Sequence, residues 1–212
     1  MYMTYVDIII KKGELYMSKD MENVLLKINK FIIILSIFLC SVYAVIYYIY
    51  DDYFMTVSSF LVMTLPFLIS LVERRSKELP LSIKTPYLLF VYASAVIGAV
   101  GGLYSSIPSY DKIIHFISGL LISWAFISFV QPYIKKYNTK LMLFTLICFN
   151  GMIALLWEIG EFTFDYVFDK SVQIGLYDTM TDMIAGLVGG LIVALIYSMI
   201  NNNHETAPKK SL

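Results

Sequence analysis

The stretch Leu141-Met-Leu-Phe-Thr-Leu-Ile-Cys148-Phe-Asn150-Gly-Met-Ile-Ala-Leu-Leu-Trp157-Glu158-Ile-Gly-Glu161 carries no charge until Glu158 and then two carboxylates within one helical turn. At ~1.5 Å per residue, Leu141 to Glu158 covers ~27 Å, close to the ~30 Å of a bilayer's hydrocarbon core. A run of this length and polarity predicts a transmembrane helix whose far end meets the membrane boundary at Glu158. Comparable runs place six spans at 31–50, 54–72, 87–104, 113–130, 141–160 and 181–200.

Composition agrees. Hydrophobic residues make up 58% of the 212 and charged ones 15%, against ~45–50% apolar in an ordinary soluble domain. The expected fold is all-α, a polytopic transmembrane helix bundle. Cations and acids balance at 16 each, so the basic excess of a nucleic-acid binder is missing and no nucleic-acid partner is expected. Cys40 and Cys148 fall inside apolar runs, where a small hydrophobe is the simplest role. Pro66 predicts a kink in the second span, whereas Pro80, Pro86 and Pro132 are expected in connections.

Between spans the charges sort by sign. Lysines 11, 12, 19, 27 and 30, then Arg74, Arg75, Lys77 and Lys84, then Lys135, Lys136 and Lys140, then Lys209 and Lys210 all fall on one side. That is fourteen of the sixteen cations, leaving Lys112 and Lys170 opposite. By the positive-inside rule both termini are cytoplasmic. The opposite side receives Asp51, Asp52, Asp111, Glu158, Glu161, Asp165, Asp169, Asp178 and Asp182, with tyrosines 47, 48, 50, 53, 104 and 110 as interfacial anchors. The expected organisation is a cytoplasmic arm at 1–30, a transmembrane domain at 31–200 and a cytoplasmic tail at 201–212. Within the arm, Lys11-Lys12-Gly13-Glu14 is encodable by a purine-rich ribosome-binding sequence ahead of Met17, so 1–16 reads as a mis-assigned start. No cleavable signal is apparent.

Gly98-Ala-Val-Gly101-Gly102-Leu and Gly186-Leu-Val-Gly189-Gly190-Leu share a pattern, each with a GxxxG pair. Close helix packing accounts for both. An inverted three-plus-three repeat is the alternative.

The chemistry gathers where spans four to six reach the acidic side. Asp111 and His115, Glu158 with Glu161 and Asp165, and Asp178 with Asp182 each have helical spacing of three or four, so each set shares a helix face. Asp111, and Asp178 with Thr179, are expected as helix caps. Glu158 and Glu161 meet the unfavourable end of their helix dipole and repel one another, which calls for a cation or water. Asn150 either extends this polar face inward or hydrogen-bonds a neighbouring helix. His115 is open to three roles: metal ligand, proton carrier or packing residue. Carboxylates with one imidazole suit Mg²⁺, Mn²⁺, Ca²⁺ or Zn²⁺. The candidate catalytic set is therefore Asp111, His115, Glu158, Glu161, Asp178 and Asp182, with His115, Glu158, Glu161 and Asp182 as metal ligands. A solvated acidic rim is the bland alternative. Nucleophile-elbow, P-loop and Rossmann motifs are not found.

Three ordered motifs carry a resemblance: Tyr110-Asp-Lys-Ile-Ile-His115-Phe-Ile-Ser-Gly119, Trp157-Glu158-Ile-Gly-Glu161-Phe, and Tyr177-Asp178-Thr-Met-Thr-Asp182-Met-Ile-Ala185-Gly-Leu-Val-Gly189. Over roughly residues 87–200 the chain resembles the YjdF-like family of bacterial integral membrane proteins. It departs at Phe162, where tryptophan is expected, and in the 165–177 connection ahead of the last motif. It is more distantly similar to the VanZ-like membrane proteins, which have a role in glycopeptide-antibiotic resistance. The first resemblance implies an architecture and a set of positions but lends no reaction.

The sequence thus leads to a multi-pass protein of the bacterial plasma membrane, with an outward-facing site that uses a divalent cation on an outer-leaflet or envelope lipid substrate. A proton- or metal-ion-coupled transporter and a non-catalytic scaffold are the alternatives.

Overall fold

A computed structural model describes residues 9–11, 14–16, 18–74, 79–130 and 139–205, with side chains over 18–74, 79–130 and 140–199. Lys12, Arg75, Lys77, Pro132, Lys135, Lys136, Lys209 and Lys210, invoked above for charge sorting and connections, lie outside the described residues. Six helices are long and apolar enough to cross a membrane: Lys19–Ile49, Tyr53–Glu73, Leu81–Val100, Tyr110–Val130, Lys140–Phe168 and Leu176–Met199. The chain divides into two compact units, Met1–Tyr110 and Asp111–Leu212, so each unit receives three of these helices.

In the first unit, β1 (Ile9–Lys11) pairs antiparallel with β2 (Glu14–Tyr16), Ile10 opposite Leu15. Helix α1 (Lys19–Ile49) starts earlier than the apolar run because Ser18 caps it, its side chain accepting from Met21 N at 3.3 Å. Asp20 and Glu22 occupy the favourable end of its dipole. Asp51 adopts φ 60° in the turn that follows, a backbone region aspartate tolerates better than most residues. Asp52 then caps α2 (Tyr53–Thr64) by accepting from Met55 N at 3.0 Å. These two acids therefore have turn-forming roles. Pro66 sits in a 3₁₀ turn, Leu65–Phe67, that breaks the second span before α3 (Leu68–Glu73), and the Tyr87 hydroxyl donates to Leu65 O at 2.8 Å.

The third span differs most from expectation. Helix α4 (Leu81–Val91) contains Pro86, expected in a connection. As the sixth residue of α4, it lies past the partnerless N–H groups of the first turn, and its missing N–H costs the helix one intrahelical bond. The helix continues as a π-helix over Tyr92–Val100. Two phenols secure that wider winding: Tyr47 donates to Val100 O at 2.6 Å and Tyr110 to Ala93 O at 2.8 Å. Gly102, at φ +78°, ends the helix before α5 (Leu103–Ser106). The Gly98/Gly102 pair is consequently not a helix-packing face, and its likeness to Gly186/Gly190 stops at the sequence.

The second unit consists of α6 (Tyr110–Val130), α7 (Thr139–Phe168) and α8 (Leu176–Glu205). Buried residues recur every four positions, as His115, Gly119, Ser123 and Ile127 on α6 and as Met142, Leu146, Asn150, Ala154 and Glu158 on α7. On α8 the buried positions are Asp182, Gly186, Gly189, Gly190, Ala194 and Tyr197. The three stripes stack into layers. Ile127, Met142, Leu146, Ala194 and Tyr197 form an apolar core. The next layer holds Ser123, Asn150 and Gly190, with Asn150 Nδ2 donating to Ser123 Oγ at 2.8 Å and Gly119 O at 2.9 Å. Asn150 thus hydrogen-bonds the neighbouring helix. Above lie Gly119, Ala154 and Gly186, where small side chains let backbones touch: a Cβ on Gly119 would strike Gly186 O, and one on Gly189 would strike Phe116 O.

These contacts predict that Gly119→Val, which drives a branched side chain into an unyielding backbone, lowers stability by more than ~3 kcal/mol, read as loss of monodisperse protein or of melting temperature in detergent. Gly160→Ala is the control. A Cβ there meets nothing within 4 Å, and stability should hold or rise by up to ~1 kcal/mol.

Candidate functional site

The uppermost layer of the second unit is ionisable. His115 (6% exposed), Glu158 (4%) and Asp182 (2%) come from three different helices, and one ligand atom of each lies within 4.8 Å of the others. The layer beneath supplies the reason: with glycines at 119 and 186, α6 and α8 approach closely enough for the side chains one turn above to meet. Asp111, His115 and Glu161 form a second such group, and Asp111, Asp178 and Asp182 a third. All six candidate catalytic residues therefore fall in one set of overlapping clusters, which leaves out Asp165.

His115 Nε2 is 3.5 Å from Asp111 Oδ1 and 3.9 Å from Glu158 Oε1. The imidazole also meets the Trp157 ring edge to face, with centroids 6.3 Å apart. Glu158 Oε2 accepts from Gln173 Nε2 at 3.2 Å, while its buried Oε1 has no hydrogen-bond donor. Asp182 Oδ1 is equally buried and equally without a hydrogen bond; Lys112 Nζ stands 3.4 Å away as an ion pair. Burying carboxylate oxygens without hydrogen bonds costs free energy, and of these two only Asp182 Oδ1 has a cation close by, Lys112 Nζ; a cation among His115, Glu158 and Asp182 would relieve what remains.

The remaining acids take distinct places. Glu161 groups with His115 and Asp111, not with Glu158 and Asp182. Three residues on from Glu158, it is rotated around α7 toward Asp111, and its Oε1 accepts from Trp157 Nε1 at 2.7 Å. Asp111 and Asp178 are not caps, because α6 starts at Tyr110 and α8 at Leu176, which leaves both acids inside the first turn. Asp178 instead accepts from Ile174 N at 3.3 Å and from Lys112 Nζ at 2.7 Å. Asp165, in the last turn of α7, serves the loop: its two oxygens accept from Val172 N at 2.8 Å and Gln173 N at 2.9 Å, which holds the α7–α8 connection and aims Gln173 at Glu158. The sequence showed Lys112 only as one of two cations among the acids, and nothing in it pointed to Gln173.

Residues 30–203 match the family model described as "Predicted membrane protein (DUF2238)", which takes in most of the chain. The chain therefore belongs to this family, which is the YjdF-like one; the more distant VanZ-like similarity gains no support. An uncharacterized protein of Thermotoga maritima is 34% identical over 113 residues, 51% of this chain and 57% of that protein. The chain thus spans little more than half of that relative's length. No solved structure matches.

Two outcomes test the scaffold of the site. Asn150→Leu should destabilise the protein by about 1–3 kcal/mol through loss of two interhelical bonds, measured by thermal melting in detergent. Asp165→Ala should open the 169–175 connection to limited proteolysis at an unchanged melting temperature; resistance equal to wild type would show that its two backbone contacts do not hold the loop.

Proposed function

We propose that this member of the family binds a divalent cation through His115, Glu158 and Asp182 and uses it on an outer-leaflet or envelope lipid substrate. The observation that carries the proposal is the pair of buried carboxylate oxygens, Glu158 Oε1 and Asp182 Oδ1, that lack hydrogen bonds and share a cluster with a buried imidazole. Two carboxylates and one nitrogen, with the remaining positions left to water or substrate, fit Mn²⁺, Mg²⁺ or Zn²⁺. A bound cation would supply Lewis acidity toward a phosphoryl or carbonyl oxygen. Asp111 and Glu161, clustered with His115 but outside that ligand set, are the carboxylates available to take a proton from water. Gln173 fixes Glu158 by occupying its other oxygen. The acidic ends face outward on the charge distribution of the sequence, which puts the site at headgroup depth on the outer side of the plasma membrane.

The transport alternative needs a polar path onward through the unit. Below Ser123 and Asn150, the described core layer of Ile127, Met142, Leu146, Ala194 and Tyr197 offers the Tyr197 hydroxyl as its one side-chain polar atom. Glycine backbones in contact leave no width between α6 and α8. Within this unit these features favour binding over passage.

In detergent, Mn²⁺ should raise the melting temperature of the wild type, and chelation should reverse the rise. His115→Ala and Asp182→Asn should each remove the response; Asp182→Asn, which neutralises a buried carboxylate, should leave the metal-free melting temperature equal or higher, whereas His115→Ala should lower it by removing a buried ring. A response that survives both substitutions would sink the proposal, and Mn²⁺ or proton flux in proteoliposomes would replace it with the transporter.

A further inference from the structure

Lys112 lies three residues before His115 on α6 and is part-exposed, its side chain 30% accessible. Its Nζ reaches across to α8, 2.7 Å from Asp178 Oδ1 and 3.4 Å from Asp182 Oδ1. Those two acids, together with Asp111, make up the third cluster, with ligand oxygens within 4.8 Å of one another. Asp182 belongs both to this cluster and to the one with His115 and Glu158. Two three-ligand groups joined by one shared carboxylate resemble the layout of two-cation sites, in which a bridging carboxylate holds ions ~3.5–4 Å apart. In this protein a lysine ammonium stands at the second of those positions.

We propose that Lys112 is a tethered stand-in for a second divalent cation: Asp111, Asp178 and Asp182 form a latent cation site that the ammonium keeps closed, so that the protein takes one ion where its carboxylates have room for two. The inference rests on the cation reading of His115, Glu158 and Asp182. Three physical facts support it. Asp182 is 98% buried, since 2% is exposed, and its Oδ1 accepts no hydrogen bond, so the ion pair with Lys112 is what compensates it. Three carboxylates this close repel unless a positive charge lies among them, and at a few ångströms that interaction is large even at the effective dielectric of a protein surface. The ammonium is covalently held on the same helix as Asp111, so it competes at a high effective concentration and never diffuses away. A lysine is a single charge with three donors, whereas a divalent ion doubles the charge and demands oxygen ligands. Lys112 therefore decides both ion count and the chemistry available, a single Lewis acid flanked by an ammonium instead of a two-cation clamp.

The test is the Mn²⁺ stoichiometry of the full-length protein in detergent, by equilibrium dialysis with elemental analysis and by electron paramagnetic resonance. Wild type should bind one Mn²⁺. Lys112→Met should bind two, the second at least about tenfold more tightly than wild type takes any further ion, with the broadened spectrum of spin-coupled neighbours. Lys112→Gln serves the same purpose should the apolar side chain disturb folding, and Lys112→Arg, which keeps the charge, should stay at one. A stoichiometry of one in both neutral variants, or of two in wild type, would overturn the role of Lys112 while leaving the first cation site standing. Wild type that binds no Mn²⁺ at all would instead remove the site described under Proposed function, and this inference with it.

Discussion

Everything at the ionisable end of the second unit depends on the backbone of α8 touching that of α6. Gly119 lies against Gly186, and Gly189 against the carbonyl of Phe116, with no room for a Cβ at Gly119 or Gly189. In lipid, helices gain nothing hydrophobic by leaving hydrocarbon for one another, so intimate van der Waals contact and interhelical hydrogen bonds must hold them. The glycines supply the contact. Asn150, donating to Gly119 O and Ser123 Oγ one layer below, supplies the bonds. Side chains that would otherwise hang from separate helices are thereby forced to within a few ångströms, and the residues one turn above the contact happen to be the ones hydrocarbon tolerates least.

A cluster of acids held by rigid packing behaves differently from acids on a mobile surface. Side chains wetted at a membrane edge relax apart and hydrate, whereas Glu158 and Asp182 are buried where α7 and α8 put them. The protein compensates part of the arrangement with its own groups. Asp178 has Lys112 and a loop amide, Asp165 has two loop amides, and Glu161 has the Trp157 indole. What remains without donors is one oxygen on Glu158 and one on Asp182, beside His115. Site and support are thus separable among residues of a single chemical type: some carboxylates fasten the α7–α8 connection so that others stay poised.

Six membrane-spanning helices were legible because hydrocarbon thickness sets a length that composition reveals directly, and the three acidic motifs were legible because helical spacing fixes which side chains share a face. Helix ends were not. Ser18 extends α1 downward by capping it, and α6 and α8 begin early enough to turn Asp111 and Asp178 from expected caps into first-turn residues. Pro86 falls inside α4, and the π-helix after it is held by phenols from distant positions, Tyr47 and Tyr110, that no local pattern encodes. The same limit applies to the site. Spacing puts Glu158 and Glu161 near one face of α7, but that Glu158 groups with Asp182 and Glu161 with Asp111 depends on neighbouring helices, and the contribution of Gln173 arises only once Asp165 has folded its loop. Contacts within a helix can be read along the chain; contacts that need another helix or a closed loop cannot.

The most direct measurement of the central claim is an experimentally determined structure of the protein with Mn²⁺, with the ion located by its anomalous scattering. One peak is expected within ~2.0–2.3 Å of a His115 nitrogen and of carboxylate oxygens from Glu158 and Asp182. Density in which these three side chains point apart, or an anomalous map with no peak among them at saturating Mn²⁺, would contradict it.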